Sequence, residues 1–356
     1  MGVPDHRGRT AFARGDTWAG RQEPVRIGEW TQASPACSQA GHPAGSGWFD
    51  VVSFAQLVRN DLNVPGPWNH RQIAANGAQF HVAEVGDGPL VLFLHGFPEF
   101  WWAWRHQLPR LADAGWRAVA MDLRGYGGSD KPPRGYDPVT FAADITGVIR
   151  SMGERDAVVV GHNWGAYGAW TAAALRPAHV RGVVAMSMPH PLVLRRHLMQ
   201  GGLVRTGFLL GAQAPLVPER RLTAGDGALV EKLLRRWSAP GSAFPDDEAS
   251  TRYRAAMRIW PAPHCALEYQ RWAVRSLPRA NGRRLAKRLE VPVDLPVLQI
   301  HGAEDRYITP QLAAASREFT GDSYDWLRLE GTGHFPHEEA PELVTDALLE
   351  WLRRFT

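Results

Sequence analysis

The sequence predicts an open α/β sheet, mostly parallel, flanked by helices on both faces and interrupted once by a helical insertion. Unbroken apolar runs such as "PLVLFLHGF" at 89–97 recur along the chain, as buried parallel strands require. Stretches with helical spacing separate them, and β-α-β alternation of this kind builds a parallel sheet with helices on both sides. The alternation stops between Pro191 and Val293, a stretch rich in Arg, Leu and Trp, and then resumes.

Taken in order, "RQIAANGAQFHVAEVGDG" reads as two short strands around Asn76-Gly77, a dipeptide that favours a tight hairpin. The strand at 89–97 follows, then a helix near 102–114 and the buried strand "WRAVAMDLRG". A helix over 138–152, the strand "DAVVVGHN", a helix from Gly165 and the strand "VRGVVAMSM" complete the first half. After the insertion, "LPVLQIHGAED" and "SYDWLRLEGTGHF" return to strand, and a helix over 341–354 closes the chain. The expected organisation is a core of 64–190 and 293–356 with a helical cap at 191–292.

Residues 1–63 differ in kind. Gly, Ala, Arg, Pro and Ser dominate and no period persists, so a disordered or loosely attached extension is expected. Trp18, Trp30 and Trp48 weigh against pure disorder, and 51–62 has the spacing of one short amphipathic helix.

The 356 residues are 44% hydrophobic and 21% charged, enough for a large globular core. The net charge of +4 is carried almost wholly by scattered arginines, which does not suggest a nucleic-acid partner. Cys37 and Cys265 stand far apart, in no metal-ligand spacing. No apolar run suggests a membrane span or a signal peptide, and a cytoplasmic location is expected.

The chemistry is concentrated in three segments. Gly161-His162-Asn163-Trp164-Gly165 has the pattern G-x-nucleophile-x-G where a strand turns sharply into a helix. Small flanking residues leave room for that turn, and the helix start supplies N–H groups for an oxyanion. Asp305 follows the next-to-last strand and His334 the last, so the order is nucleophile position, acid, histidine. In such a triad the acid orients a histidine that activates water or nucleophile. Singly, the first segment also reads as a plain strand–helix turn, Asp305 as a helix N-cap, and His334 or His337 as a surface histidine. Three such residues at the carboxyl ends of separate parallel strands favour a site. In "HGFPEFWWAWR" the chain turns after Gly96, so the N–H of Phe97 pairs with that of Trp164 as oxyanion donors; a turn packed by aromatics is the alternative. Trp101, Trp102 and Trp104 follow this turn, while Trp237, Trp260 and Trp272 lie in the insertion. Most are expected in the core, and the remainder to line an apolar pocket.

Together "HGFPE", "DLRGYGGSDKP", "GHNWGA", "HGAED" and "GTGHF" resemble the epoxide hydrolases of the α/β-hydrolase superfamily, over about 66–356. The resemblance implies an α/β-hydrolase fold, a cis peptide at Phe97-Pro98 and no metal or organic cofactor. It implies a hydrophobic small-molecule substrate met by Pro98, Trp101 and groups of the cap. In that family an Asp at position 163 attacks an epoxide carbon, and the pair matching His334 and Asp305 activates the water that cleaves the resulting ester. Two cap tyrosines assist the epoxide oxygen.

This chain departs twice. Asn163 replaces the carboxylate, and loss of a triad nucleophile elsewhere costs on the order of 10⁶ in turnover. The insertion offers only Tyr253 and Tyr269, and alignment of "LEYQR" places Gln270 where the second tyrosine falls. Conversion of Asn163 to Asp, an inactivating change, or departure to other chemistry are the open explanations. The corresponding functions are an epoxide-hydrolase-like enzyme, a haloalkane or haloacid dehalogenase with Trp164 as halide donor, or a catalytically silent ligand-binding protein. Ser187 follows a strand but lacks an elbow, which makes it a poor alternative nucleophile.

Overall fold

The computed structural model describes residues 62–202 and 207–356. The expectations for 1–61, including the short helix at 51–62 up to its last residue, lie outside the described residues.

Eight strands form one sheet: β1 (Asn69–Ala75), β2 (Ala78–Val85), β3 (Leu90–Leu94), β4 (Arg117–Met121), β5 (Ala157–His162), β6 (Val180–Met186), β7 (Val297–Gly302) and β8 (Tyr324–Leu329). Their spatial order is β1-β2-β4-β3-β5-β6-β7-β8. β1 and β2 form the antiparallel edge, β2 joins β4 antiparallel, and all later pairings are parallel. The hairpin turns at Asn76 and Gly77, both at positive φ (45° and 72°), which is why Asn-Gly suits it. Every residue of β3, β5 and β7 is buried, which explains why those runs show no alternation.

The helix expected near 102–114 is split in two. A 3-10 turn, Trp101–Trp104, precedes the helix Gln107–Asp113. Four fully buried positions in the first piece, three of them tryptophans, suit a tight turn pressed into the core. The other core helices, Pro138–Ser151, Trp164–Leu175 and Pro341–Leu352, fall where the sequence put them. A short helix at Pro310–Ala314, capped by the Thr309 hydroxyl, is an addition.

Between β6 and β7 the chain runs through six described α-helices, the longest being Val217–Trp237, Asp247–Arg258 and Ala262–Arg275. The first of these breaks at 224–227, where Gly225 and Gly227 are among four residues with non-helical backbone angles. The insertion packs on the carboxyl ends of the strands: Trp237 lies against His334, Phe208 against Phe97 and Tyr269 against Trp164. Among the described residues no helix is long and apolar enough to cross a membrane.

Candidate active site

Asn163 sits at the end of β5 with φ 49° and ψ −117°, a strained conformation for a residue with a side chain. The turn is possible because its neighbours are small. A Cβ on Gly161 would collide with the Ala166 nitrogen, and one on Gly165 with the Leu94 carbonyl. The strain aims the Asn163 side chain at two partners. Its Oδ1 accepts from the Phe97 N–H at 3.3 Å, and its Nδ2 lies 3.0 Å from Nε2 of His334.

The network fixes which way the amide points. His334 Nδ1 donates to Asp305 Oδ2 at 2.7 Å, so Nε2 carries the lone pair and accepts from the amide nitrogen. A flipped amide would set donor against donor at Phe97 and leave Oδ1 facing the Nε2 lone pair. Asp305 is held in turn, its Oδ1 accepting from the N–H groups of Tyr307 (2.8 Å) and Ile308 (2.9 Å). His301 Nε2 stands 3.2 Å from Asp305 Oδ2. Burial would raise the Asp305 carboxyl, but His334 and His301 hold it well below the usual range. Burial lowers His334 below its ordinary 6.5 and outweighs the opposing pull of Asp305, so the neutral imidazole is favoured.

The oxyanion turn is equally supported. The Phe97-Pro98 peptide is cis, Glu99 N–H bonds back to the Gly96 carbonyl at 3.1 Å, and Pro98 is buried within the turn. His95 braces it from below, with Nδ1 donating to the Gly96 carbonyl (2.8 Å) and Nε2 accepting from the Leu123 N–H (3.1 Å). The Trp164 N–H opens its helix and therefore has no helical acceptor of its own.

Beneath the triad lies a buried group that sequence reasoning missed. Glu99 Oε2 meets His162 Nδ1 at 2.7 Å, His162 Nε2 donates to the His334 carbonyl at 2.8 Å, and His337 Nε2 is 3.1 Å from Glu99 Oε1. Burial opposes ionisation of Glu99, yet the two histidines hold its carboxyl well below the usual range. These three side chains bring ligand atoms within 4.8 Å of one another; Glu99 and His162 are hydrogen-bonded to each other and His162 to the His334 carbonyl, while Nδ1 of His337 has no hydrogen-bond partner among the described residues. Their arrangement supports His334. His337, weighed above as a surface histidine, is fully buried. The signal was present: Glu99 and His162 both lie inside the quoted motifs.

Four expected substrate contacts fare differently. Trp101 is corrected: its Nε1–H donates to the Leu62 carbonyl at 2.9 Å and its ring packs on Trp68 and His70, not on the catalytic side chains. Tyr269 is also corrected as a substrate donor, since its hydroxyl donates to the Arg124 carbonyl at 2.9 Å. Its helix neighbour Gln270 is fully buried with no hydrogen-bond partner on either amide atom. Pro98 remains in the oxyanion turn. The other tyrosine, Tyr253, donates to Glu338, which also accepts from Arg105 at 2.8 Å. Both insertion tyrosines named above are therefore engaged in fastening the insertion to the core. Of the tryptophans singled out in the insertion, Trp237 packs on the His334 ring at 5.6 Å, whereas Trp260 is 68% exposed. Ser187 has φ 54° at the end of β6, and its buried hydroxyl is unpartnered.

A strained residue at a strand–helix turn, a histidine on it, an acid behind that histidine and N–H donors opposite define a hydrolase site. The profile of the alpha/beta hydrolase fold family matches residues 89–341, and the chain belongs to that family. It is 32% identical over 288 residues to the AB hydrolase superfamily protein YfhM of Bacillus subtilis, covering 79% of this chain and 96% of that one. It is 30% identical over 320 residues to epoxide hydrolase A of Mycobacterium tuberculosis, covering 81% and 98%. The crystal structure of an epoxide hydrolase from Vigna radiata superposes with a TM-score of 0.71 at 27% identity, covering 81% and 98%. Within the family the chain is an epoxide hydrolase-like α/β-hydrolase.

Proposed function

We propose that the protein hydrolyses epoxides of hydrophobic small molecules, and that it makes its own nucleophile by hydrolysing the Asn163 amide to a carboxylate. The observation that carries this reading is the double contact of the amide, Oδ1 on the Phe97 N–H and Nδ2 on His334 Nε2. The first contact polarises the amide carbonyl and the second sets its nitrogen beside the group that protonates it on departure; water is activated when the amide N–H releases Nε2.

The steps balance. His334 Nε2 takes a proton from a water molecule whose oxygen bonds to Cγ of Asn163. The negative charge gathers on Oδ1, opposite the N–H groups of Phe97 and Trp164. Collapse breaks the Cγ–Nδ2 bond, and His334 returns the proton to the departing nitrogen, which leaves as ammonia and takes the proton of the new carboxylic acid with it as ammonium. The carboxylate so formed attacks an epoxide carbon, opening the ring and giving an ester. Gln270 supplies a hydrogen bond to the developing alkoxide, which takes its proton from solvent. A second water, activated by the same histidine and facing the same oxyanion donors, then cleaves the ester and releases a diol.

Burying an amide without partners costs roughly 1–3 kcal/mol, which favours a ligand group as the missing partner of Gln270. The test is Asn163→Asp assayed with styrene oxide. Diol formation well above that of freshly purified protein, abolished by a further His334→Gln change, is expected. Silence of Asn163→Asp contradicts the reading.

A further inference from the structure

A cavity of about 510 Å³ opens beside the catalytic centre, within the range of ligand pockets. Its inner wall is Phe208, Trp237 and Tyr307. These rings also form the layer over the reacting atoms: Phe208 packs on Phe97 at 5.1 Å, and Trp237 and Tyr307 pack on His334 at 5.6 and 5.1 Å. Leu222, Leu229 and Leu233 make the side wall apolar.

The cavity's polar groups are of one sign. Arg221, Arg236 and Arg306 line it, all three are exposed, and no acidic residue lines it among the described residues. Some arginines elsewhere on the insertion are paired, Arg235 with Glu231, Arg252 with Glu248, and Arg254 and Arg258 with Asp226, while others, such as Arg275 and Arg283, bond backbone carbonyls; what sets the cavity apart is that three arginines line one apolar space. No ion pair or hydrogen bond joins any of the three cavity arginines to a described carboxylate. Arg236 and Arg306 are chain neighbours of Trp237 and Tyr307, whose rings stack at 4.2 Å, and both line the same cavity. Three cations gathered at an apolar cavity repel one another unless an anion joins them, and the planar fork of arginine matches a carboxylate.

We propose that this cavity recognises an alkyl carboxylate, its chain against Phe208, Trp237 and the leucines and its carboxylate held by Arg221, Arg236 and Arg306. The proposal rests on the hydrolase reading for what happens beyond the inner wall, and narrows the substrate class to hydrophobic molecules that carry an acid at the end remote from the reacting carbon. Exposed guanidinium–carboxylate contacts are individually weak, so their combined effect is about tenfold in affinity at low salt.

Calorimetric titration of the full chain with decanoate, decan-1-ol and decyltrimethylammonium tests it. The expected result is binding of decanoate about tenfold tighter than the alcohol, weaker still for the cation, with the advantage shrinking as salt is raised. The triple change Arg221→Gln, Arg236→Gln, Arg306→Gln should remove the preference while leaving alcohol binding and the melting temperature unchanged. Equal affinity for the three probes, no binding of any, or a preference that survives the triple change overturns the proposal. Diol formation by Asn163→Asp from an uncharged epoxide is read separately. It holds or fails independently of the preference for an anion.

Discussion

Nδ2 of Asn163 lies 3.0 Å from Nε2 of His334, and that histidine is held by Asp305 in the tautomer that turns a lone pair towards the amide. The amide thus occupies the His334 lone pair, which on the proposed reading a carboxylate at the same position would leave ready for water. Amides hydrolyse far more slowly than esters, so formation of the carboxylate should be slow and ester cleavage fast on the same machinery.

Asp305→Asn in the Asn163→Asp background should leave nucleophilic attack in place and cripple ester hydrolysis. The wrong tautomer of a catalytic histidine costs on the order of 10⁴ in turnover elsewhere. Intact mass spectrometry after mixing with styrene oxide should show the alkyl-enzyme accumulating. Absence of any adduct would remove Asp305 from the assigned role.

Gln270→Ala should lower kcat/KM of the Asn163→Asp enzyme by roughly 10- to 100-fold, the loss of one hydrogen bond to a charge of about 1.5–3 kcal/mol. Tyr269→Phe should change it little, because that hydroxyl serves the Arg124 carbonyl. Steady-state kinetics of the two variants distinguish the assignments, and the reverse ranking would return the role to the tyrosine.

These neighbours also mark where the sequence stopped being legible. The elbow, the chain order of the triad and the Asn76-Gly77 hairpin depend on local spacing, and each was readable residue by residue. What each of Tyr269 and Gln270 touches depends on the rotation of one helix, about 100° per residue, fixed by packing of the Tyr269 ring on Trp164, Tyr126 and Phe141. Trp101 misled because it follows the oxyanion turn directly, yet the 3-10 turn swings its ring toward Trp68 and His70. The cavity arginines come from two separated segments, one in the insertion and one beside Asp305, and only the folded chain gathers them.

The pH dependence of ester cleavage should follow His334. Burial lowers it below 6.5, so the neutral base persists to lower pH and the acidic limb of the rate profile should fall below pH 6.5. Single-turnover rates from pH 5 to 8 in the Asn163→Asp enzyme measure it. A midpoint above 6.5 would contradict the assigned environment.

Stability should also decline on acidification. Burial depresses His95, His334 and His337, and lowers His190 to about 3. Each binds its proton less readily folded than unfolded. The unfolded chain therefore takes up more protons as pH falls below about 6.5, and stability is lost from there downward. Glu99 and Asp305, held low in the fold, add a further loss in the acid range as the unfolded carboxylates protonate. Calorimetric Tm should fall between pH 7 and 5, and His190→Phe should flatten that slope.

Tyr253→Phe should loosen the insertion without touching the triad. It removes one partner from buried Glu338, which keeps Arg105, and a lost hydrogen bond of this kind costs about 1–3 kcal/mol. Glu338→Ala should cost more, about 3–5 kcal/mol, because Arg105 is then left without its carboxylate. Urea unfolding of the two variants gives the order.

The most direct test of the central claim is the mass of Asn163 itself. Peptide mapping of freshly purified and aged protein should show a gain of about 1 Da at that residue, growing with time and absent in His334→Gln. An amide that persists unchanged in the aged wild-type protein, or one that converts equally without His334, would show that the site does not make its own carboxylate.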